Sequence, residues 1–243
     1  MMDGEAKRAM ELVFLPGFDG AADLRRTFTE ELARAAPVRS VSYPRYPLGS
    51  LDEYQRFAAA EARSDAALVL VAESFSGLVA VRWAAREPRV VALVLCGCFA
   101  RNPVGFAANL GAMLPGVTKL GPRVCSVFLS QPANAMHRDW SQGLVRTLRE
   151  MRDEVVAERL RLIAAEDVRA ELSALRIPLV LLQYDGDLVL SRKARGELEA
   201  VCHNAEVVRI AGPHFAIETQ PRECAEAIVA RLRTLFPMLS TSP

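Results

Sequence analysis

The sequence predicts an α/β fold, a mostly parallel sheet of about six strands flanked by helices. Three observations carry this. Short apolar, β-branched runs alternate with stretches of helical periodicity along most of the 243 residues. Residues 67–86, A-L-V-L-V-A-E-S-F-S-G-L-V-A-V-R-W-A-A-R, pass from a continuous apolar run through a polar centre into a helical pattern, so they read as strand, tight turn and helix. The chain is 51% apolar with a net charge of +1, which suits one large domain with a well-buried core.

Residues 11–15 form the first apolar strand and run into Pro16-Gly17-Phe18-Asp19-Gly20, a turn that depends on its glycines. A helix over residues 23–36 follows, with Leu24, Phe28, Leu32 and Ala35 on one face, and Pro37 ends it. Residues 38–42 begin a second strand. The Pro-rich loop Y-P-R-Y-P-L-G-S closes on Ser50, a helix N-cap by residue type, and residues 51–63 are helical. The strand over 68–71 and the helix that carries Leu78, Val79, Arg82, Trp83 and Arg86 come next, and Glu87-Pro88 breaks the chain before a buried strand over 90–95.

Residues 99–175 interrupt the rhythm. They hold a Gly- and Pro-rich loop (102–122), an apolar patch around 124–129 and a charged helical run from 141 to about 164. A crossover needs only one helix, so this stretch reads as a helical lid inserted after the strand that ends near Leu95. The core is then 1–98 and 176–243, with 99–175 as the lid. The sheet resumes with strands over 179–182 and 206–210, separated by a helix over 192–201, and a helix over 222–235 closes the chain.

Composition excludes several classes. Basic residues are interleaved with acids, so no concentrated face for nucleic acid or an anionic membrane is present. No apolar run reaches the roughly 18 residues of a membrane span, and the start, M-M-D-G-E-A-K-R, lacks an apolar signal region, so a cytoplasmic location is expected. Cys96, Cys98, Cys125, Cys202 and Cys224 are odd in number and lack zinc or disulfide spacing. Reduced thiols, no metal and no cofactor are therefore expected.

The chemistry gathers just past the carboxyl ends of the strands, where open α/β sheets place their sites. Ser74 lies in the strand-to-helix turn with small flanks, Ala72 and Ser76, which a crowded nucleophile turn requires. Ser76 as nucleophile would have the bulky Leu78 as a flank. Asp187 follows a later strand and His214 the last, giving the chain order Ser, Asp, His. His214 would be general base and then general acid, and Asp187 would orient its imidazole. Asp185, two residues earlier, is the competing acid; Asp187 is preferred because it lies further past the strand end and Leu188-Val189 can anchor its loop. The backbone N–H groups of Phe18 and Phe75 would form the oxyanion hole. Asp19 can cap the same turn. His203 sits at the wrong sheet edge and His137 in the lid.

With L-P-G-F-D-G, A-E-S-F-S-G, the Asp187 loop and G-P-H-F in hand, the chain resembles the α/β-hydrolase superfamily over nearly its whole length. The resemblance implies a helical cap after the sixth strand of the family's standard count. The first two strands of that count have no counterpart here, so a compact member is expected. Two motifs depart from the family: its usual His-Gly is Pro16-Gly17, and the elbow glycines are Ala72 and Ser76. The chain is similar to small carboxylesterases, including those that act on methyl esters of acyl chains carried by a carrier protein.

The function expected is a serine hydrolase that cleaves a carboxylic ester or thioester of an apolar acyl group through an acyl-enzyme. Phe99, Phe106, Leu110, Met113 and Phe128 would line the acyl pocket, and Arg101, Lys119, Arg123 and Arg138 could meet an acyl carrier protein or a substrate carboxylate. The competing readings are a lyase that uses the same three residues without an acyl-enzyme, and a non-catalytic binding protein on a hydrolase fold.

Overall fold

A computed structural model of the chain describes residues 9–63, 65–103 and 146–240. Six strands, β1 (Met10–Leu15), β2 (Val38–Ser40), β3 (Ala67–Glu73), β4 (Val90–Cys96), β5 (Leu179–Tyr184) and β6 (Glu206–Ile210), form one all-parallel sheet in the order β2-β1-β3-β4-β5-β6. Helices α1 (Arg26–Leu32), α2 (Leu51–Glu61), α3 (Ser76–Ala84), α4 (Asp153–Ala165), α5 (Arg169–Ala174), α6 (Arg192–Val201), α7 (Ala216–Thr219) and α8 (Pro221–Leu235) cover it.

The apolar runs explain the layering. Alternate side chains of a strand point to opposite faces, and in β1, β3, β4 and β5 both faces are buried. Val13, Leu15, Leu68, Leu70, Ala72, Leu93 and Leu95 pack with α2, α3, Leu162, Leu172 and Leu198 on one side. On the other, Leu12, Phe14, Val69, Val71, Ala92 and Val94 pack with Phe28 and Leu32 of α1, Ala216 and Ile217 of α7, and Ile228 and Leu232 of α8.

The chain leaves β1 for β2 on one side and then returns to build β3 to β6 on the other. The crevice at the carboxyl ends of β1 and β3 is therefore the topological switch point. The turn after β1 and the turn after β3 both open into it.

Several element boundaries differ from the sequence reading. The helix expected over 23–36 is a 3-10 turn (Ala22–Arg25) followed by α1, which stops at Leu32; the tight turns after it lead to Pro37, before which helical backbone is disfavoured. The β2 strand ends at Ser40, just before the Tyr43-Pro44 loop. Within the charged run, 146–150 is helical and the backbone extends at Arg152 (ψ 141°) before α4 begins.

Of the segment 99–175, the structure describes 99–103 and 146–175. Arg101 bridges to Asp167, and α4 is anchored to the core by two buried charges. Glu158 accepts from the Leu48 N–H (2.9 Å) and the Tyr54 hydroxyl (3.1 Å), and Arg159 donates to the Tyr54 oxygen (2.9 Å). Phe106, Leu110, Met113, Phe128, Lys119, Arg123, Arg138, His137 and Cys125 lie outside the described residues. Among the described residues, no helix is long and apolar enough to cross a membrane.

Candidate active site

The turn between β3 and α3 holds Ser74 at φ +50°. A non-glycine residue in the left-handed region costs on the order of 1–3 kcal/mol and persists only where its surroundings impose it. Here the Ser74 N–H donates to Cys96 O (3.0 Å) and its carbonyl accepts from the Gly77 N–H (3.0 Å), so both sides of the residue are held. The next turn of α3 lies against β4: a Cβ at Gly77 would stand 2.7 Å from Cys98 Cβ. Ser76 is fully buried, and its hydroxyl donates to Pro16 O and bonds the Tyr43 hydroxyl (2.8 Å). That hydroxyl ties α3 to the turn after β1 and is not free to react.

His214 follows β6 and precedes α7. Its Nε2 lies 3.1 Å from Ser74 Oγ, and its Nδ1 lies 2.8 Å from Asp187 Oδ2. The other oxygen, Asp187 Oδ1, accepts from the Val189 and Leu190 N–H groups, each at 2.8 Å. These two amides lock the carboxyl group because the chain doubles back immediately after it. Asp187 and His214 are 7% and 6% exposed, whereas Ser74 is half-buried and reachable. Asp185 is exposed and takes no part in this line of bonds; its N–H pairs with Ile210 O (3.0 Å).

The turn after β1 leaves one amide open. The Gly17 N–H donates to Glu73 Oε2 (2.9 Å), Gly17 O accepts from the Gly20 N–H (3.1 Å), and Phe18 O accepts from Arg159 Nη1 (2.6 Å). Among the described residues, the Phe18 N–H has no partner, nor does that of Phe75. In a trans peptide the N–H points opposite to the carbonyl. With Gly17 O turned to Gly20, the Phe18 N–H faces away from the turn. Asp19 Oδ1 caps the turn by accepting from the Ala21 N–H (2.8 Å).

Sequence reasoning missed the buried ions around this site: Glu73, Arg25, Glu218, Glu158 and Arg159. A signal exists for the first, since an acid that ends an apolar strand must find a donor. Nothing in the sequence names that donor, because Arg25 lies 48 residues away. Phe99 is 5% exposed and packs in the core layer of α2 and α3. Cys96, Cys98, Cys202 and Cys224 are free, buried thiols; burial pushes Cys202 and Cys224 up to about 12, which keeps them protonated and unreactive at neutral pH. Among the described residues, no group of three or more His, Cys, Asp or Glu side chains is placed to hold a metal ion.

The fold has counterparts among known proteins. A family model described as "Alpha/beta hydrolase family" matches residues 12–227. A bromoperoxidase from Bacillus anthracis superposes with a TM-score of 0.77 at 14% identity, covering 93% of this chain and 92% of that one. An enol-lactonase from Burkholderia xenovorans LB400 gives 0.75 at 17% identity over 94% and 93% of the two chains. A thermophilic esterase from Thermogutta terrifontis gives 0.75 at 18% identity over 93% and 90%. At these identities the likeness is one of fold. No protein of curated function matches the sequence.

Proposed function

The chain belongs to the alpha/beta hydrolase family, and on that premise we propose that it is a serine esterase that cleaves a carboxylic ester or thioester through an acyl-enzyme. The observation that carries this reading is the unbroken line from Ser74 Oγ to His214 Nε2 (3.1 Å) and from His214 Nδ1 to Asp187 Oδ2 (2.8 Å). A serine hydroxyl becomes a nucleophile only when a base takes its proton, and neutral imidazole titrates in the range for that task.

Each group then has a step. Ser74 Oγ attacks the carbonyl carbon while its proton passes to His214 Nε2. Asp187 stabilises the imidazolium and holds its tautomer. The oxyanion is received by the open N–H groups of Phe18 and Phe75; one such donor is worth about 100- to 1000-fold in kcat. The tetrahedral intermediate collapses, His214 returns the proton to the leaving alkoxide or thiolate, and the acyl group stays on Ser74. Water then attacks the acyl-enzyme while its proton passes to His214; the C–Oγ bond breaks, His214 returns the proton to Ser74 Oγ, and the acid is released.

An apolar acyl chain is the substrate class this reading takes, with the segment 99–175 as its cover; a small alcohol is the leaving group, and an acyl carrier protein is the partner that could carry the chain. The test is hydrolysis of p-nitrophenyl esters of increasing chain length by the wild type, Ser74→Ala and His214→Ala, with fluorophosphonate labelling beside it. A burst, a labelled Ser74 and a loss of about a thousandfold or more in both variants are expected. Activity that survives Ser74→Ala, or ester-competent protein with no burst and no label, would overturn the acyl-enzyme.

A further inference from the structure

A buried ion cluster that the steps above leave unused sits against the turn that carries Phe18. Arg25, 1% exposed, reaches three carboxyl groups at once: Asp19 and Glu218 at 2.8 Å and Glu73 at 2.7 Å. They come from three separate elements. Asp19 lies in the turn after β1, Glu73 directly precedes Ser74, and Glu218 stands on α7, four residues beyond His214. Glu73 joins them: one oxygen takes Arg25 Nη2 and the other takes the Gly17 N–H at 2.9 Å.

Charge decides how this holds together. Three carboxylates against one guanidinium would leave two buried negative charges, which is costly. Burial, and then the charge of Glu73, holds Glu218 well above the usual carboxylate range, which favours its neutral form. Burial works against the charge on Arg25, but Asp19 and Glu73 outweigh it and raise Arg25 well above its ordinary value.

The geometry points to Glu73 as a positioning residue for the oxyanion turn: its carboxylate, fixed by Arg25, holds the Gly17 amide and through it the direction of the Phe18 N–H. Gly17 is gripped on both sides, by Glu73 at its N–H and by Gly20 at its carbonyl, so the Gly17–Phe18 peptide plane has little freedom. The carbon chain leaves no slack, since a Cβ at Gly17 would stand 3.0 Å from Glu73 Cδ. Glutamine cannot replace this carboxylate: it has one acceptor oxygen, and two donors converge on Glu73 from opposite sides. This inference rests on the esterase reading above.

The test uses folded Glu73→Gln and Glu218→Gln proteins, p-nitrophenyl acetate as substrate, and the amide resonance of Gly17 in glycine-labelled protein. Glu73→Gln should lower kcat by about 10- to 100-fold, leave KM within about twofold and move the Gly17 amide proton. Glu218→Gln keeps a neutral side chain of the same length beside Glu73, so at pH 7 kcat should stay within about threefold of wild type.

The pH profile separates this from a merely structural role. Glu218 faces Glu73 on β3, Asp19 and Arg25 in the first turn, Cys96 on β4, Tyr184 on β5 and Cys224 on α8, and burial keeps both thiols and the phenol neutral. Ionising Glu218 therefore puts a second negative charge against Glu73. Wild-type kcat should fall on the alkaline side, and Glu218→Gln should abolish that fall.

Retention of kcat by Glu73→Gln, an unmoved Gly17 amide, or an alkaline fall that persists in Glu218→Gln would overturn the proposal. If Glu73→Gln does not fold, Glu73→Asp, one methylene too short to span Arg25 and Gly17, serves in its place with the same expectations. If the wild type neither hydrolyses the ester nor takes a fluorophosphonate, the esterase reading fails, and the Gly17 amide alone decides whether Glu73 holds the turn.

Discussion

Arg159 Nη1 donates to the Phe18 carbonyl at 2.6 Å across 141 residues of sequence, so helix α4 takes part in shaping the turn after β1. The guanidinium is 1% exposed, lies 5.5 Å from the centroids of the Tyr43 and Tyr54 rings, and has no carboxylate partner among the described residues. Its charge is answered indirectly, through the Tyr54 hydroxyl to Glu158. Arg159→Met keeps the aliphatic bulk but removes the donors to Phe18 O and Tyr54. A stability loss of about 1–3 kcal/mol in urea unfolding is expected, with a kcat loss of about tenfold, because the Phe18 peptide loses its outer anchor. Unchanged kcat in a protein that shows the stability loss would mean that α4 braces the fold and not the turn.

Asp187 and Asp185 are two residues apart and make opposite predictions. Asp187→Asn leaves a group that can donate to His214 Nδ1 and so favour the wrong tautomer, for which a fall in kcat of about 10⁴-fold is expected. Asp185 is exposed and touches none of the reacting groups, so Asp185→Asn should stay within about threefold of wild type. Both are read from kcat with a p-nitrophenyl ester. Equal losses in the two variants would overturn the assignment of the acid.

What the sequence made legible was local. Apolar runs and helical spacing mark the strands and most of the helices, and residues just past strand ends mark where Ser74, Asp187 and His214 meet. The choice between Asp185 and Asp187 was reached from loop position; in the structure the discriminating contacts are the Val189 and Leu190 amides. The size of Leu78 argues against Ser76 as nucleophile, while the bond from Ser76 to Pro16 O, 60 residues away, is not readable from sequence. The same holds for Arg25 with Glu73 and for Arg159 with Phe18. Long-range pairing of buried ions leaves no periodic trace, because any acid or base of the right length could serve. The four-residue helix α7 is too short to show a period at all.

Gly77 sets how closely α3 can approach β4. Alanine there would gain about 1 kcal/mol of helix propensity. Against this, its Cβ would meet Cys98 Cβ at 2.7 Å and Sγ at 2.8 Å, and overpacking of a buried contact costs about 1–3 kcal/mol. The clash involves a Cβ that cannot rotate away, so Gly77→Ala should be net destabilising in urea unfolding. It should also slow fluorophosphonate labelling, since α3 begins two residues after Ser74. A variant as stable as wild type would show that the helix can lift from the strand without cost.

The pH dependence of stability follows from Glu218. Burial, then the charge of Glu73, raises its folded pKa well above the value of an unfolded glutamate. Between the two values the folded chain holds a proton that the unfolded chain has released, so stability falls as pH rises, by about 1.4 kcal/mol per pH unit for one proton. The loss begins at the unfolded pKa of about 4.3 and stops once pH passes the folded pKa. Glutamine at 218 carries no proton to lose. Glu218→Gln and wild type should therefore be similar in stability near pH 4, and the variant should gain on wild type as the pH is raised from there, until pH passes the folded pKa. Urea midpoints across that range, with the slope of unfolding held equal, read the difference directly. Parallel curves for the two proteins would mean that Glu218 is ionised in the fold, and the single guanidinium of Arg25 would then be holding three charged carboxylates.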